Sequence, residues 1–178
     1  MKAKKCKQCK KSFTPERPLQ YLCSFECSIE YLKKEKAKCW AKEKKVLKEK
    51  LMTHKDYLKL LQITFNTYIR TRDERQPCIS CGTFKAEEFH AGHYVATTHQ
   101  YLRFNENNVW KQCSKCNTHL RGNLIPYRIE LINRIGLKQV EQLENDRNKE
   151  QKLSISEIKE MIIIYKQKIK DEKQSNLF

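Results

Sequence analysis

The sequence lacks the long apolar runs that a membrane protein or a secreted protein requires. A short apolar stretch, MIIIY at residues 161–165, is flanked by charge and falls far short of the roughly 20 residues that span a bilayer. The basic start, MKAKK, is followed by no apolar segment of the kind that a signal peptide needs. These absences predict a soluble protein that has no membrane partner and stays where it is made.

Apolar residues are also too few for one large core. Mean hydropathy is −0.82, and 33% of the 178 residues are charged. Small metal-stapled units joined by helices fit this composition better than a single large core. The expected fold class is therefore α+β and mostly helical.

The charge that is present is mainly positive and is unevenly spread. The formal net charge is +16, and residues 1–55 hold 17 basic and 6 acidic side chains. Such an excess suits a polyanionic partner, most often nucleic acid. The alternative is a solvated helix face that only aids solubility.

Eight of the nine cysteines fall into four close pairs, with one further cysteine, Cys39, left without a role. The spacings are Cys-x₂-Cys-x₁₃-Cys-x₃-Cys and Cys-x₂-Cys-x₃₁-Cys-x₂-Cys. Paired cysteines in a chain without a signal sequence indicate two closed structural zinc sites in a reducing compartment. The predicted ligands are Cys6, Cys9, Cys23 and Cys27 for the first site and Cys78, Cys81, Cys113 and Cys116 for the second.

Helical segments are expected on both sides of the second cysteine site. Residues 28–50 contain neither Gly nor Pro and few apolar residues, which predicts a basic helical arm over 28–55. Apolar residues at helical spacing predict an amphipathic helix within 56–75, with Tyr57, Phe65 and Tyr68 in the core. Further helices are predicted within 124–172, one of them opened by a Ser154-x-x-Glu157 capping box.

The segment between the two later cysteine pairs has the layout of an HNH, or ββα-metal, nuclease motif. His93 follows a β-favouring stretch, Asn108 precedes an apolar strand, and Asn117 comes directly after Cys116. A neutral imidazole such as that of His93 suits a general base. An oxygen ligand such as Asn117 suits Mg²⁺ or Mn²⁺, and Asn108 would hold either the loop or the His93 ring.

Several longer stretches carry a resemblance to a known family. They are CKQC with YLCSFEC, then RDERQPCISCGTF, AGHY, LRFNENNVWKQCSKCNTHLRGNLIPYRIELI and the following RIG. Over nearly all its length the chain resembles the phage NinG (Rap) recombination endonucleases. The resemblance implies a phage- or prophage-encoded enzyme in the bacterial cytoplasm that cleaves branched intermediates such as D-loops and Holliday junctions. The Cys₄ zinc followed by Cys-Asn is also similar to phage endonuclease VII, which favours Asn117 as a metal ligand.

One position departs from the common HNH pattern. Many such enzymes carry Asp or His immediately before the base histidine as a second metal ligand, and here that residue is Gly92. His90 is the natural substitute, against the alternative of a merely surface-exposed histidine. Residues 90 and 93 face opposite sides of a regular strand, and a bulge at Gly92 would bring them together.

Several basic side chains are candidates for contacting DNA. His119 is expected either to contact phosphate or to support a metal ligand, and the alternative is a histidine that only lies on a helix surface. Arg121 stands four residues after Asn117 and would share its helix face, from which it could clamp a phosphate. On the basic arm the candidates are Lys33, Lys34, Lys44 and Lys45.

The predicted organisation is a zinc finger at 1–27, the basic arm at 28–55 and an HNH nuclease domain at 56–178, whose zinc-stapled core spans 76–123. The expected function is metal-dependent, structure-specific DNA cleavage. The alternatives are a zinc-finger nucleic-acid binder without catalysis and an adaptor that binds host proteins. A zinc protease is disfavoured because no His-Glu-x-x-His occurs. Symmetric cutting of a junction would favour a homodimer, and recruitment by phage or host recombination proteins stays open.

Overall fold

The structure is a computed structural model that describes residues 2–175, and it is mixed but mostly helical, as expected. The chain divides into two compact units, Met1–Met52 and Thr53–Phe178. Residues 176–178, the last of the predicted nuclease domain, lie outside the described residues. In the described part, no helix is both long enough and apolar enough to cross a membrane.

The first unit is a two-stranded ribbon followed by a long helix. Strand β1 (Lys4–Lys5) pairs antiparallel with β2 (Ser12–Phe13). Helix α1 (Phe25–Lys50) begins after Ser24, whose side chain accepts a hydrogen bond from the Cys27 backbone N–H. None of the described α1 residues is buried. The basic arm is therefore helical, beginning three residues before the predicted position 28.

The second unit is built around two helices that pack together. Helix α2 (His54–Arg72) opens with a capping box formed by Thr53 and Asp56 and buries the predicted core aromatic residues. Helix α5 (Ile155–Ser175) packs against it, with the rings of Phe65 and Tyr165 centred 5.0 Å apart. The predicted capping box of α5 is present, since Ser154 and Glu157 exchange hydrogen bonds.

A β-hairpin-like ribbon and two shorter helices complete the second unit. Strands β3 (Phe89–His93) and β4 (Val109–Cys113) pair antiparallel, with Phe89 opposite Cys113. Helices α3 (Leu124–Ile135) and α4 (Leu137–Asn145) pack together beside them. They share a core with the 95–102 loop, made of Ile79, Val95, Leu102, Tyr127, Leu131, Val140 and Leu143.

A buried carboxylate joins α2 to β4. Asp73 is 2% exposed and accepts hydrogen bonds from Arg72 Nε at 2.7 Å and from the Lys111 backbone N–H at 2.9 Å. The Arg72 guanidinium also donates to the backbone carbonyls of Glu106 and Val109. This ion pair therefore sets where the ribbon lies on α2.

Replacing Asp73 by alanine should lower the free energy of unfolding by about 3 kcal/mol, because it removes the carboxylate partner of the half-buried Arg72 charge and leaves the Lys111 backbone N–H without its acceptor. Urea denaturation followed by circular dichroism measures the loss. Asp171→Ala is the matched control, since that exposed carboxylate accepts a hydrogen bond from the Gln167 side chain one helical turn away. Equal stabilities for the two variants would contradict a structural role for the Asp73 pair.

Candidate metal centre and active site

The eight paired cysteines form two clusters that could each hold a metal ion. Within each cluster the four Sγ atoms lie within 4.8 Å of one another. The Cys9–Cys23 and Cys23–Cys27 sulfur pairs are both 3.5 Å apart, and the Cys81–Cys113 pair is 3.8 Å apart. Four sulfurs at about 2.3 Å from a tetrahedral zinc would be roughly 3.8 Å apart. The donor set and the spacing therefore fit zinc, with no position open for substrate.

Nearby N–H groups donate hydrogen bonds to sulfur atoms of the second cluster. The Cys113 backbone N–H donates to Cys78 Sγ at 3.3 Å, and the Asn123 side chain donates to Cys116 Sγ at 3.5 Å. Burial opposes ionisation of Cys78, but backbone N–H groups of Cys113 and Cys81 outweigh it and hold the pKa of this thiol below its usual value. Thiolates are the metal-binding form of cysteine, so Cys78 is prepared for a metal, whereas burial and the neighbouring thiols raise the pKa of Cys116 to about 12.

Directly beside this cluster, β3 brings His90 to Asn117. Residues Lys115–His119 form a single π-helical turn that follows the last cysteine pair. The Asn117 side-chain nitrogen lies 3.1 Å from His90 Nδ1. Two residues 27 positions apart, both predicted as ligands of a catalytic metal, are thus in contact.

The other ring nitrogen of His90 faces Glu88, a residue that the sequence did not single out. His90 Nε2 lies 3.3 Å from a Glu88 carboxylate oxygen. A carboxylate only accepts, so Nε2 carries the proton and Nδ1 turns its lone pair toward Asn117. Carboxylates commonly orient metal-binding histidines in this way. The sequence did contain a signal for this contact, because Glu88 and His90 are two residues apart in an extended segment and such residues lie on the same face.

His93, the predicted base, ends β3 and is half-buried. Its Nε2 lies 3.0 Å from the Arg103 backbone carbonyl. Since a carbonyl only accepts, Nε2 carries the proton of the neutral ring and Nδ1 keeps the lone pair. Burial lowers the pKa of His93; the nearby Arg103 charge acts in the same direction, while the carbonyl contact opposes both. The imidazole is therefore neutral at neutral pH, as a general base must be.

Asn108 is fully buried and holds the loop between the two strands. Its side-chain oxygen accepts from the Val95 backbone N–H at 2.7 Å. Its side-chain nitrogen donates to the carbonyls of Val95 at 2.9 Å and Leu102 at 3.0 Å. Of the two roles considered for Asn108, its bonds fit the loop and do not involve the His93 ring. Because Leu102 precedes Arg103, Asn108 also fixes the carbonyl that His93 contacts.

The bulge considered at Gly92 is absent from the ribbon, whose residues are all described. Strand pairing is one to one from Phe89–Cys113 to His93–Val109, with Gly92 opposite Trp110. His90 and His93 therefore lie on opposite faces of β3. The polar contacts form two groups along this strand, one around His90 with Asn117 and one around His93 with the loop.

The helix that carries Asn117 is shorter than the placement of Arg121 requires. The π turn ends at His119, and Arg121 (φ 48°), Gly122 (φ 93°) and Asn123 (φ 43°) all have left-handed backbone conformations. Residues 117 and 121 consequently do not share a helix face, and that expectation is wrong.

The remaining candidates for DNA contact are exposed. His119 lines an open groove of about 720 Å³ beside the second cysteine cluster, together with Lys85 and Lys115. The four arm lysines, Lys33, Lys34, Lys44 and Lys45, are exposed on α1. All five side chains are therefore accessible to solvent.

Comparison with known proteins identifies relatives that match nearly the whole chain. A family model described as the bacteriophage lambda NinG protein matches residues 1–175. Protein ninG of Escherichia phage lambda is 37% identical over 193 residues, covering 97% of this chain and 94% of the relative. The ninG proteins of Escherichia phage 933W and Salmonella phage P22 are 38% and 36% identical, with 97% of this chain covered in both. No solved structure matches the chain.

Proposed function

Since the chain belongs to the NinG family of phage proteins, we propose that it is a metal-dependent endonuclease that cleaves branched DNA. The substrate class is recombination intermediates such as D-loops and Holliday junctions, and the mechanism is one-metal HNH hydrolysis. The observation that carries this proposal is the contact of His90 with Asn117, immediately beside a cysteine cluster that fits structural zinc. A protein that only binds nucleic acid does not need this pair.

The proposed catalytic metal is Mg²⁺ or Mn²⁺, held by His90 Nδ1 and the Asn117 side-chain oxygen. The side-chain amide would rotate to present its oxygen, since the nitrogen now faces His90 and amide orientation is an assignment made from hydrogen bonding. When bound, such a cation stabilises the extra charge on the phosphate and on the leaving 3′ oxygen. Glu88 keeps the His90 lone pair directed at this position.

In this proposal His93 supplies the base from the last position of β3, on the face opposite His90, so the scissile phosphate would lie across the end of that strand. Its Nδ1 lone pair accepts a proton from the attacking water, while Nε2 remains bonded to the Arg103 carbonyl. That bond stabilises the positively charged ring that forms when the proton is taken. Asn108 is a positioning residue, because it holds the loop that provides this carbonyl.

The basic arm is proposed to hold the DNA backbone. Replacing Lys33, Lys34, Lys44 and Lys45 together by glutamine should weaken binding to junction DNA and flatten its dependence on salt. Each lysine that contacts a phosphate contributes about 0.9 to the slope of log K against log salt concentration. Fluorescence anisotropy over a salt series measures this slope. The matched control replaces the same four residues by arginine, which keeps the charge; a slope unchanged in the glutamine variant would contradict the proposal.

The function itself is tested by incubating the purified protein with linear, flapped and four-way DNA in Mg²⁺, Mn²⁺ or EDTA. We expect metal-dependent cleavage of the branched substrates. Binding without cleavage in every metal would favour the zinc-finger binder. Paired symmetric cuts in a four-way junction would support a homodimer, which the amphipathic C-terminal helices would join. In this proposal the enzyme is phage- or prophage-encoded and acts in the cytoplasm of the bacterial host.

A further inference from the structure

Gln112 is a fully buried polar residue on β4 that ties together three parts of the site. Its side-chain nitrogen donates to the Ser80 hydroxyl at 2.6 Å and to the Gly122 carbonyl at 2.6 Å. Ser80 lies between the first two cysteines of the second cluster, and Gly122 ends the turn that follows Asn117. One side chain thus connects the segment between Cys78 and Cys81 to the end of the turn that follows Cys116.

The same side chain occupies the space beside Gly92. A Cβ atom added to Gly92 would lie 2.2 Å from Gln112 Oε1 and 2.8 Å from Gln112 Cβ. Both distances are far below van der Waals contact, and the Gln112 Cβ cannot move without the strand. Position 92 is where many HNH enzymes carry an acidic or histidine ligand. In this chain, Gln112 fills the volume that such a ligand would need.

The side-chain amide of Gln112 has hydrogen-bond partners for its nitrogen but not for its oxygen. This argues that Gln112 does more than stabilise the fold. Its Oε1 atom is buried and has no hydrogen-bond partner among residues 2–175. A buried acceptor without a partner is destabilising, and an apolar side chain of similar size would avoid that cost. The two donated bonds therefore indicate a positioning role.

We propose that Gln112 is a positioning residue that holds the turn carrying Asn117 against the strand carrying His90. Gln112 holds the turn through its hydrogen bond to the Gly122 carbonyl. The absence of a side chain at Gly92 leaves the space that Gln112 occupies. The site consequently uses His90, two residues further back along β3, in place of a ligand at position 92. The role of Gln112 in metal binding rests on the proposed function. The packing of Gln112 against Gly92 is independent of that function.

Gln112→Met tests the positioning role, because methionine keeps the volume and removes both donated hydrogen bonds. We expect Mn²⁺ affinity, measured by electron paramagnetic resonance titration, to fall about 10-fold or more, the scale for losing a group that orients a metal ligand. Zinc content should stay at the wild-type value. The matched control is Ser80→Ala, which removes only the bond on the cysteine side and should keep the wild-type Mn²⁺ affinity. Wild-type affinity in Gln112→Met, or an equal loss in both variants, would overturn the role.

A double-mutant cycle tests the packing independently of any activity. Gly92→Ala in the wild-type background should lower the melting temperature by several degrees, because the new methyl group meets Gln112. In the Gln112→Ala background the same substitution should cost at most half as much, since the contacts with Gln112 Oε1 and Cδ are gone and only the contact with the Cβ atom remains. Equal shifts in both backgrounds would overturn the packing relation. The cycle needs no cleavage, so its failure is distinguishable from failure of the nuclease proposal.

Discussion

Replacing Cys78 or Cys113 by serine is expected to unfold the region from β3 to the π turn, with loss of one zinc and of DNA binding together. The apolar core around this cluster is small: among residues 2–175, Phe89 is the one partly buried hydrophobic residue that packs against the buried cysteines Cys78, Cys113 and Cys116. Structural zinc contributes about 10–16 kcal/mol of apparent binding free energy in zinc-finger peptides, and that energy is folding energy. This is the largest stability effect that we expect from a single side chain.

Metal analysis and thermal unfolding check this expectation. The purified wild type should carry about two zinc ions per chain, one for each cysteine cluster, as the four-thiolate ligand sets imply. Cys39→Ser is the matched control, because Cys39 is exposed and belongs to neither cluster. A folded wild-type protein that contains no zinc would contradict both assignments.

Replacing His93 by alanine should lower the rate of branched-DNA cleavage by about 100-fold or more, the usual scale for losing a general base. The substitution removes neither a cysteine nor a large core group, so folding, zinc content and DNA affinity should stay near those of the wild type. Single-turnover cleavage at saturating protein measures the rate. Because burial lowers the pKa of His93, the wild-type rate should fall with decreasing pH only below the range of an ordinary histidine.

Two further variants separate the base from the metal ligand and from nonspecific effects. Asn117→Ala should also cleave slowly, but raised Mn²⁺ should partly restore its rate, because the base is intact and only metal affinity is reduced. Raised Mn²⁺ should not restore His93→Ala. His54→Ala is the control, since His54 lies at the start of α2 and its ring contacts the Leu153 carbonyl. A wild-type rate in His93→Ala would favour the non-catalytic zinc-finger binder.

The cysteine clusters and the helices could be predicted because their signals are local. Two cysteines separated by two or three intervening residues can place their sulfur atoms close together without any contact from distant parts of the chain. Helix α2 is readable from apolar residues at helical spacing, and α5 from the capping box at Ser154. Helix α1 begins at Phe25, three residues before the predicted arm, and its first turn carries Cys27.

The sequence alone determined the two four-cysteine sets, the basic helical arm, the family and the identity of the residues around Asn117. Only the tertiary structure decided how those residues meet. Strand register put His90 and His93 on opposite faces, and left-handed backbone at Arg121 removed that residue from the Asn117 helix face. The contacts of Glu88 with His90 and of Gln112 with Gly122 are also visible only in the tertiary structure. A one-residue change in register or a single positive φ reverses which side chains touch, and neither is encoded in the local pattern of residue types.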